Sequence, residues 1–391
     1  MRTAPVGLRI GAPAFAKPGA IAAFIAVGCS GMIFGSGQFF ESLLVVFAFL
    51  ASISLGALIF VMINHVVGTT WSIVVRRLAE HLMMNIVYVA VLAVPVMCGI
   101  HHLYDWSHPE LVTGDAVLTF KAPYLNVPFF IGRTAFYFIV WSALAIALFR
   151  HSIKQDGDGS IGHVESMVKI SAPGIAIYAL TQTFAAFDWI MSVEPHWYST
   201  IFGIYYFAGS FLAINASLAV IVIYLRSRGS LNGTVTVEHD HDLGKYIFAF
   251  VVFWTYIAFS QYMLIWYANI PEETVWFRVR WDGSWKWVSL ALVFGHFVIP
   301  FFALMSRYMK RNPRVLLAGA VWMLVMHYVD VFWLIRPAFS HGAARLVAAD
   351  MTSVIGFGGA YVALFFHRLA RYPLVPEKDP RLAASVAFEN H

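Results

Sequence analysis

Long apolar stretches alternate with short polar segments along almost the whole chain. A helix needs about 20 predominantly apolar residues to cross a bilayer, and the chain has ten stretches of that kind. The pattern therefore predicts an all-α polytopic membrane protein, with one integral membrane domain over 1–391 and its ten-helix transmembrane region at 19–370. The predicted helices, of which the first is the shortest, span about 19–36, 39–65, 72–100, 124–150, 168–192, 199–225, 243–269, 284–308, 314–336 and 347–370.

Composition supports the membrane assignment. Hydrophobic residues make up 60% of the chain and charged residues only 12%, whereas about a quarter of the residues of soluble domains are charged. The net charge of +5 indicates topology and not nucleic-acid binding, because the basic residues concentrate on one side.

Ten spans place both termini on the same side of the membrane. Of the 26 Lys and Arg residues, 19 lie on that side, and the positive-inside rule makes it cytoplasmic. Both termini are therefore predicted to be cytoplasmic, with 371–391 as an extended cytoplasmic tail that orders only against a partner. The 19 residues are Arg2, Arg9, Lys17, Arg76, Arg77, Arg150, Lys154, Lys169, Arg226, Arg228, Lys245, Arg307, Lys310, Arg311, Arg314, Arg368, Arg371, Lys378 and Arg381.

Charged residues gather at the predicted cytoplasmic boundary of the third and seventh helices. Arg76 and Arg77 precede Glu80 by four and three residues, so each can reach it along one helix face. His81 follows Glu80, and Lys245 begins the seventh helix at a similar depth. Arg77, Glu80, His81 and Lys245 are predicted to form a proton entrance; the alternative is interfacial anchoring through internal salt bridges.

A second polar group lies deeper and toward the other face. Ionisable residues inside membrane spans are rare and usually functional. His327 and Asp330 are three residues apart and share a helix face, which predicts a proton-relay pair in which the imidazole donates to the carboxylate. Asp188 on helix five has no basic neighbour in the sequence. His296 and Gln261 lie at mid-depth, and a structural hydrogen bond is the alternative role for His296.

Few residues could bind a redox cofactor. The two cysteines, Cys29 and Cys98, lie in apolar spans, which excludes a Cys-ligated iron–sulfur cluster or a thioether-attached haem within this chain. A b-type haem needs two histidines at matched depth, and only His296 and His327 come near that arrangement. No covalently bound cofactor is predicted, and no residue is assigned as a metal ligand.

Four stretches together resemble one known family. The segments 188–210 (DWIMSVEPHWYSTIFGIYYFAGS) and 241–277 (HDLGKYIFAFVVFWTYIAFSQYMLIWYANIPEETVWF) are the most specific, and 327–337 (HYVDVFWLIRP) and 123–133 (PYLNVPFFIGR) fit the same pattern. The chain resembles the ActF family, the smaller polytopic quinol-oxidoreductase subunits of bacterial alternative complex III. That family belongs to the superfamily of NrfD and polysulfide-reductase membrane subunits.

The resemblance implies an architecture and a set of partners. Helices two to five and six to nine would form two four-helix bundles, with two peripheral helices. The complex would oxidise menaquinol or ubiquinol in the bacterial inner membrane, and this subunit would carry no redox centre. Its partners would be a larger homologous membrane subunit, an iron–sulfur subunit, c-type haem subunits, a cytochrome or terminal oxidase as electron acceptor, and lipids, but no nucleic acid.

Three hypotheses remain open. The chain supplies a buried proton path in a quinol oxidoreductase; it binds quinol through Asp188 or His196; or it is a structural membrane anchor whose aromatic segment 266–287 docks partner subunits. A transporter is less favoured because few helices are broken by Gly or Pro. The proton-path residues would be Arg77, Glu80, His81 and Lys245 on the cytoplasmic side and Asp188, His327 and Asp330 on the outer side, connected through Thr181, Gln182 and Gln261.

Overall fold

Helices account for all of the regular structure. The computed structural model describes residues 7–340 and 342–390, which contain helices and turns but no strand. Within this part of the chain, nine helices are long and apolar enough to cross a membrane, which confirms the predicted all-α multi-pass architecture. The first predicted helix is shorter, and its crossing stays a prediction. In chain order the helices are α1 (Pro18–Phe34), α2 (Ser36–Val67), α3 (Ile73–Cys98), α4 (Val127–Asp158), α5 (Ile161–Val193), α6 (Phe202–Ser227), α7 (Val237–Ala268), α8 (Trp285–Met305), α9 (Pro313–Ala338) and α10 (Ala348–Leu369).

Local sequence signals set the boundaries of the long hairpin formed by α4 and α5. The side chain of Asn126 accepts a hydrogen bond from the backbone N–H of Phe129 at 3.0 Å, capping the start of α4. Gly159 ends α4 with φ of 69°, in the left-handed region that glycine adopts without strain. Ser160 then caps α5 by accepting from the N–H of Gly162. Because only Gly159 and Ser160 separate the helices, α4 and α5 run antiparallel side by side.

Helices α2 and α6 form the centre of the molecule. Of the most apolar 18 residues of α2, 94% are buried, against 28% for α7 and for α8. A Cβ on Gly56 of α2 would lie 2.2 Å from the carbonyl oxygen of Ser210 on α6. The absence of a side chain at Gly56 therefore allows the two backbones to approach closely, as small residues do in membrane helix pairs.

The remaining helices pack around this centre in two groups. Helices α2 to α5 contact one another on one side, and α6 to α9 contact one another on the other. The two groups meet where α2 touches α6 and α9 and where α5 touches α6, while α1 packs against α10 at the periphery. Because α2 and α6 also pack closely across these groups, the two separate four-helix bundles implied by the family resemblance stay a prediction.

The C-terminal segment 372–390, here called the strap, packs across one end of the helices. Leu374 and Val375 are fully buried, and the N–H of Leu374 donates to the carbonyl of Leu8 at 2.9 Å. A short helix, Leu382–Val386, follows. The sequence predicted an extended tail ordered only by a partner. The strap is instead ordered against the chain itself, because its apolar residues are buried there. The end that it covers is called the strap end.

Aromatic residues cap the opposite end. The short helix Pro271–Val279 places Trp276 against Trp197, with ring centroids 4.4 Å apart and nearly parallel planes. The guanidinium carbon of Arg280 lies 3.5 Å from the centroid of Trp276. Trp266 and Tyr267 are 65% and 83% exposed. The aromatic segment thus divides into residues that pack internally and residues that face outward.

Candidate functional site

Glu80 lies in a fully buried charge cluster near the strap end of α3. Its carboxylate is 3.2 Å from Arg76 Nε and 3.5 Å from Arg77 Nε, and it accepts a hydrogen bond from Ser152 Oγ at 2.8 Å. Glu80, Arg76 and Arg77 are each at most 1% exposed. The contacts at three and four residues along α3 confirm the pairing predicted from the sequence.

Two further carboxylates complete this cluster. Arg76 Nη1 donates to Asp379 of the strap at 2.7 Å, and Arg77 Nη2 donates to Asp156 at the end of α4 at 2.6 Å. Burial by itself would raise the pKa of Asp379, but the charge of Arg76 and hydrogen bonding and charge from Arg381 hold that pKa below its usual value. Neither carboxylate could be assigned to this cluster from the sequence, because both come from distant parts of the chain.

The other two residues predicted for the proton entrance, His81 and Lys245, do not bond to Glu80 in the described part of the chain. The ring of His81 packs against Phe149 and Tyr372, and neither of its nitrogens has a hydrogen-bond partner among the described residues. Lys245 forms an ion pair with Asp242, and its side chain is 47% exposed. The structure therefore places Lys245 outside the Glu80 cluster that the sequence predicted it would join.

Asp188 near the end of α5 has a direct cationic partner. Arg133 of α4 donates to both carboxylate oxygens at 2.9 Å, and Tyr137 donates a third hydrogen bond at 2.8 Å. The guanidinium of Arg133 also lies over the ring of Tyr124, 3.8 Å from its centroid. Two parallel charge-assisted hydrogen bonds make this a strong pair. The charge of Asp188, which had no neutralising neighbour in the sequence, is therefore compensated across the helix hairpin.

Asp330 on α9 is held differently. The hydroxyl of Tyr205 donates to it at 2.5 Å and the indole N–H of Trp254 donates at 3.1 Å. The carboxyl group is 1% exposed, and no basic side chain among residues 7–340 and 342–390 forms an ion pair with it. Asp330 is thus a buried acid that only neutral donors contact.

His327 lies close to Asp330 but does not bond to it. Its Nε2 forms a 2.8 Å hydrogen bond with Ser52 Oγ of α2, and its Nδ1 has no partner within the described part of the chain. The direct imidazole–carboxylate bond predicted from the three-residue spacing is therefore not formed. The side chain of His327 turns toward the central helix α2 instead.

His296 joins these two residues from α8. Residues Leu292–Val298 form a π-helical segment, and His296 within it is fully buried and stacks on Trp254 with ring centroids 3.8 Å apart. One ligand-type atom from each of His296, His327 and Asp330 lies within 4.8 Å of the other two. These three residues are called the central cluster. His327 and Asp330 share one helix and His296 lies on another, so the sequence could not show that all three side chains meet.

A groove opens between α7 and α8 beside the central cluster. Its volume is about 700 Å³, and its walls are mostly aromatic and aliphatic. Trp254 and Tyr205, the two donors to Asp330, form part of the wall. Gln261 also faces the groove, and its amide nitrogen is buried with no hydrogen-bond partner in the described residues.

The turn after α5 is held by ion pairs. His196, whose side chain is 57% exposed, contacts Asp115 at 2.6 Å, and the hydrogen bond from His196 lowers the pKa of Asp115. Glu194 pairs with the buried Arg280 at 2.7 Å. Glu194 and His196 in this turn therefore both have protein partners.

Among residues 7–340 and 342–390, no direct hydrogen bond joins the Glu80 cluster, Asp188 and the central cluster to one another. Thr181 accepts from Trp141 at 2.8 Å, and Gln182 donates to the carbonyl of Gly203 at 3.2 Å. Neither bonds to Asp188 or Asp330 in the described residues, so the predicted connection through them would require bridging water. The Glu80 and Asp188 centres belong to α2–α5, and the central cluster to α6–α9.

Comparison with known proteins adds no identification. No protein-family model matches the chain, and no curated protein matches it. Buried carboxylates, imidazoles and phenols in membrane helices can take up and release protons, and the groove can accept an apolar molecule with a polar head.

Proposed function

We propose that the chain is a membrane subunit of a bacterial quinol:acceptor oxidoreductase and that it conducts protons through its helical core. The observation that carries the proposal is Asp330, a fully buried carboxyl group that receives hydrogen bonds from Tyr205 and Trp254 and has no cationic partner among the described residues. The assignment to a redox complex rests on the stretches of the sequence that resemble the ActF family. The chain itself would carry no redox centre.

The free-energy cost of burying Asp330 supports a role for this residue in proton transfer. An ionised carboxylate in a membrane interior is expensive unless it is paired, and such groups are rare outside proton and ion pathways. A residue needed only for packing or anchoring could be apolar at this position. A carboxyl group that exchanges a proton gains a role that an apolar residue cannot fill.

The direction of the path follows from the charge distribution. We propose that the strap end is cytoplasmic and that ten helices cross the membrane, because 19 of the 26 basic residues then lie inside. The Glu80 cluster, with Arg77 and His81, would lie near the proton entrance, and the central cluster would be the relay. Asp188 would serve mainly to join α4 to α5 through Arg133. A larger homologous subunit, iron–sulfur and c-type haem subunits would complete the complex.

The test is proton release by the complete complex in liposomes. Asp330→Asn keeps the shape of the side chain but cannot exchange a proton, so we expect the rate of proton release to fall by about 10²-fold, within the range for a positioned proton-transfer group. Asp115→Asn, at a partly exposed carboxylate outside the long helices, is the control and should leave this rate unchanged. Normal proton release by Asp330→Asn in a fully assembled complex would refute the proposal. Reduced assembly with normal turnover per complex would favour the structural anchor.

A second function is favoured by the groove between α7 and α8. We propose that it holds a quinol or quinone, whose ring would lie among the aromatic walls with a carbonyl or hydroxyl group at Gln261. The volume of about 700 Å³ lies within the range of small-molecule sites, about 300–1,000 Å³. This location replaces Asp188 and His196, because Arg133 and Asp115 already bond to those two residues.

Quinone binding can be measured through the tryptophans of the groove. A short-chain quinone should quench the fluorescence of the parent protein with saturation, and Gln261→Leu should weaken the apparent affinity about tenfold, the effect of losing a hydrogen bond worth roughly 1.4 kcal/mol. Phe184→Leu, on the exposed face of α5, is the control. Equal quenching of parent and Gln261→Leu, without saturation, would exclude this site.

A further inference from the structure

His296 lies in the membrane core, where buried polar side chains normally have hydrogen-bond partners. It is fully buried, yet neither Nδ1 nor Nε2 has a hydrogen-bond partner among the described residues. A buried polar atom left without a partner costs about 1–3 kcal/mol. The two open ring nitrogens therefore indicate that something other than protein satisfies at least one of them.

Two neighbours of His296 also carry atoms that can bind a metal ion. His327 Nδ1 is also buried without a partner in the described chain, and the Asp330 carboxylate lies beside it. One donor atom from each residue falls within 4.8 Å of the others. Two imidazoles and one carboxylate thus converge on one point from α8 and α9.

The surrounding backbone holds the two imidazoles in place. His296 lies in the π-helical segment Leu292–Val298, a type of distortion that is frequent at functional sites. A Cβ on Gly209 of α6 would lie 2.6 Å from Cε1 of His327, so this glycine leaves the room that the ring occupies. Trp254 stacks on His296 and restricts its rotation.

We propose that His296, His327 and Asp330 form a binding site for a divalent transition-metal ion, with Zn²⁺ as the best match. Imidazole nitrogen and carboxylate oxygen are common zinc ligands, and three protein ligands with one open position are typical of zinc sites that keep a water molecule. The groups that bond to the ligands are also suitable. Ser52 holds the second nitrogen of His327, and Tyr205 and Trp254 donate to Asp330, as outer partners of metal ligands do.

Metal binding requires a modest contraction of the central cluster. Zinc–ligand bonds of about 2.1 Å in tetrahedral geometry place donor atoms roughly 3.4 Å apart, closer than the 4.8 Å limit within which they lie here. Small rotations of the two imidazoles and the carboxyl group would close this difference.

Zinc at this site would oppose proton transfer, and this consequence rests on the proposed function. A carboxylate that coordinates the ion cannot also take up a proton. Zinc binding itself does not depend on that function. The two claims can therefore be tested on the same protein with different measurements.

The binding test uses the full chain, expressed in zinc-supplemented medium and purified in detergent. Elemental analysis should find about one zinc per parent chain, and less than about a tenth of that in His296→Gln and Asp330→Asn, because each removes one of three ligands. His163→Gln is the matched control. His163 contacts Asp158 and His151 at the strap end, so it reports on adventitious zinc at a more accessible histidine pair, and its loss should leave the bound zinc unchanged.

Two further variants keep the test informative if a ligand variant folds poorly. His296→Cys should retain zinc and add a zinc–sulfur distance of about 2.3 Å to the X-ray absorption spectrum, whereas the parent should show only nitrogen and oxygen neighbours near 2.0–2.2 Å. Ser52→Ala removes an outer partner of His327 and should weaken zinc affinity about 10–100-fold.

The possible outcomes distinguish failure of the proposed metal site from failure of the proposed proton path. Zinc content that is absent from the parent, unchanged in both ligand variants, or lost in His163→Gln would overturn the metal site. If zinc is absent but Asp330→Asn blocks proton release, only the metal site is refuted. If zinc binds with the expected spectrum but neither zinc nor Asp330→Asn alters proton release, the proton path is refuted and the metal site stands.

Discussion

Asp188 and Asp330 are both buried aspartates, yet their carboxyl groups have different kinds of partners. Both lie near the end of a long apolar helix, and both are at most 1% exposed. Asp188 receives a two-point ion pair from Arg133 and a hydrogen bond from Tyr137. Asp330 receives hydrogen bonds only from the neutral groups of Tyr205 and Trp254.

The difference separates a charge that is compensated from one that is not. The Asp188–Arg133 pair removes the cost of an isolated charge and ties α4 to α5, so structural reasons suffice for it. Asp330 has no such compensation within the described residues, and its neighbours His296 and His327 have open ring nitrogens. A functional interpretation is therefore stronger for Asp330, although Asp188 lies in the more distinctive sequence segment.

The largest effect is expected from removing the cation of the compensated pair. Arg133→Leu would leave Asp188 as an unpaired buried charge, and breaking a buried pair in this way costs about 3–5 kcal/mol. We expect a marked decrease in thermal stability of the purified protein in detergent. Asp330→Asn should cause a much smaller decrease, because no charged partner is left behind.

A double variant distinguishes lost pairing from lost packing. Arg133→Leu combined with Asp188→Leu removes both charges and should recover much of the stability, since apolar replacements of buried pairs are often close to neutral. If the double variant is as unstable as Arg133→Leu, packing of Arg133 over Tyr124 matters more than its charge, and the contrast between the two aspartates weakens.

The features that could be predicted from the sequence depend on short residue spacing within one helix or on the thickness of the bilayer. Nine of the ten apolar stretches correspond to helices long enough to cross a membrane, because the hydrocarbon thickness fixes their length. The contacts of Arg76 and Arg77 with Glu80 followed from helix periodicity. Each of these features requires knowledge of one helix only.

Contacts between helices could not be predicted in the same way. Arg133 and Asp188 are 55 residues apart, and Tyr205 and Asp330 are 125 apart. Each contact depends on the rotation and depth of two helices, which are set by packing across the whole bundle. Arg133 lay within the quoted segment 123–133, so a search for cations facing Asp188 across the hairpin could have found it. The π-helical segment that turns His296 inward had no comparable signal.

A smaller effect tests the charge of Asp330. Tyr205→Phe removes one hydrogen bond, which contributes about 0.5–1.5 kcal/mol for a neutral acceptor and about 1.5–3 kcal/mol for a charged one. If the phenol bonds to an ionised carboxylate, Tyr205→Phe should cost more thermal stability in the parent protein than in a protein that already carries Asp330→Asn. Tyr137→Phe provides the reference for a carboxylate that is paired with a cation, because Asp188 also contacts Arg133.

Tyr205→Phe and Tyr137→Phe can be compared directly. If they reduce thermal stability equally, and if changing the neighbouring aspartate to asparagine diminishes both reductions equally, then Asp330 and Asp188 carry the same charge. The distinction between a compensated and an uncompensated acid would then fail. A smaller loss at Tyr205 would support an Asp330 that is protonated at rest, as a relay that accepts and passes on protons requires.

The smallest effect concerns the strap, where a third aspartate lies outside the membrane-spanning helices. The pKa of Asp379 is held low by Arg76 and Arg381 against the opposing effect of burial. A carboxyl group whose pKa is lowered on folding stabilises the folded form above its unfolded pKa, about 3.9, and this contribution is lost as the pH falls through the folded value. Limited proteolysis by an acid-active protease should therefore cut the strap faster as the pH falls below about 4.

Asp379→Asn should remove this pH dependence and release the strap modestly even at neutral pH, because Arg76 keeps Glu80 as a second partner. Ser385→Ala, which loses the bond from Ser385 Oγ to the carbonyl of Trp71, should loosen the strap without changing the dependence on pH. A parent strap equally resistant at pH 3 and pH 7 would show that apolar burial of Leu374 and Val375 outweighs the ion pair. Such a result would separate Asp379, whose ion pair with Arg76 would not hold the strap, from Asp188, whose ion pair with Arg133 is expected to hold α4 against α5.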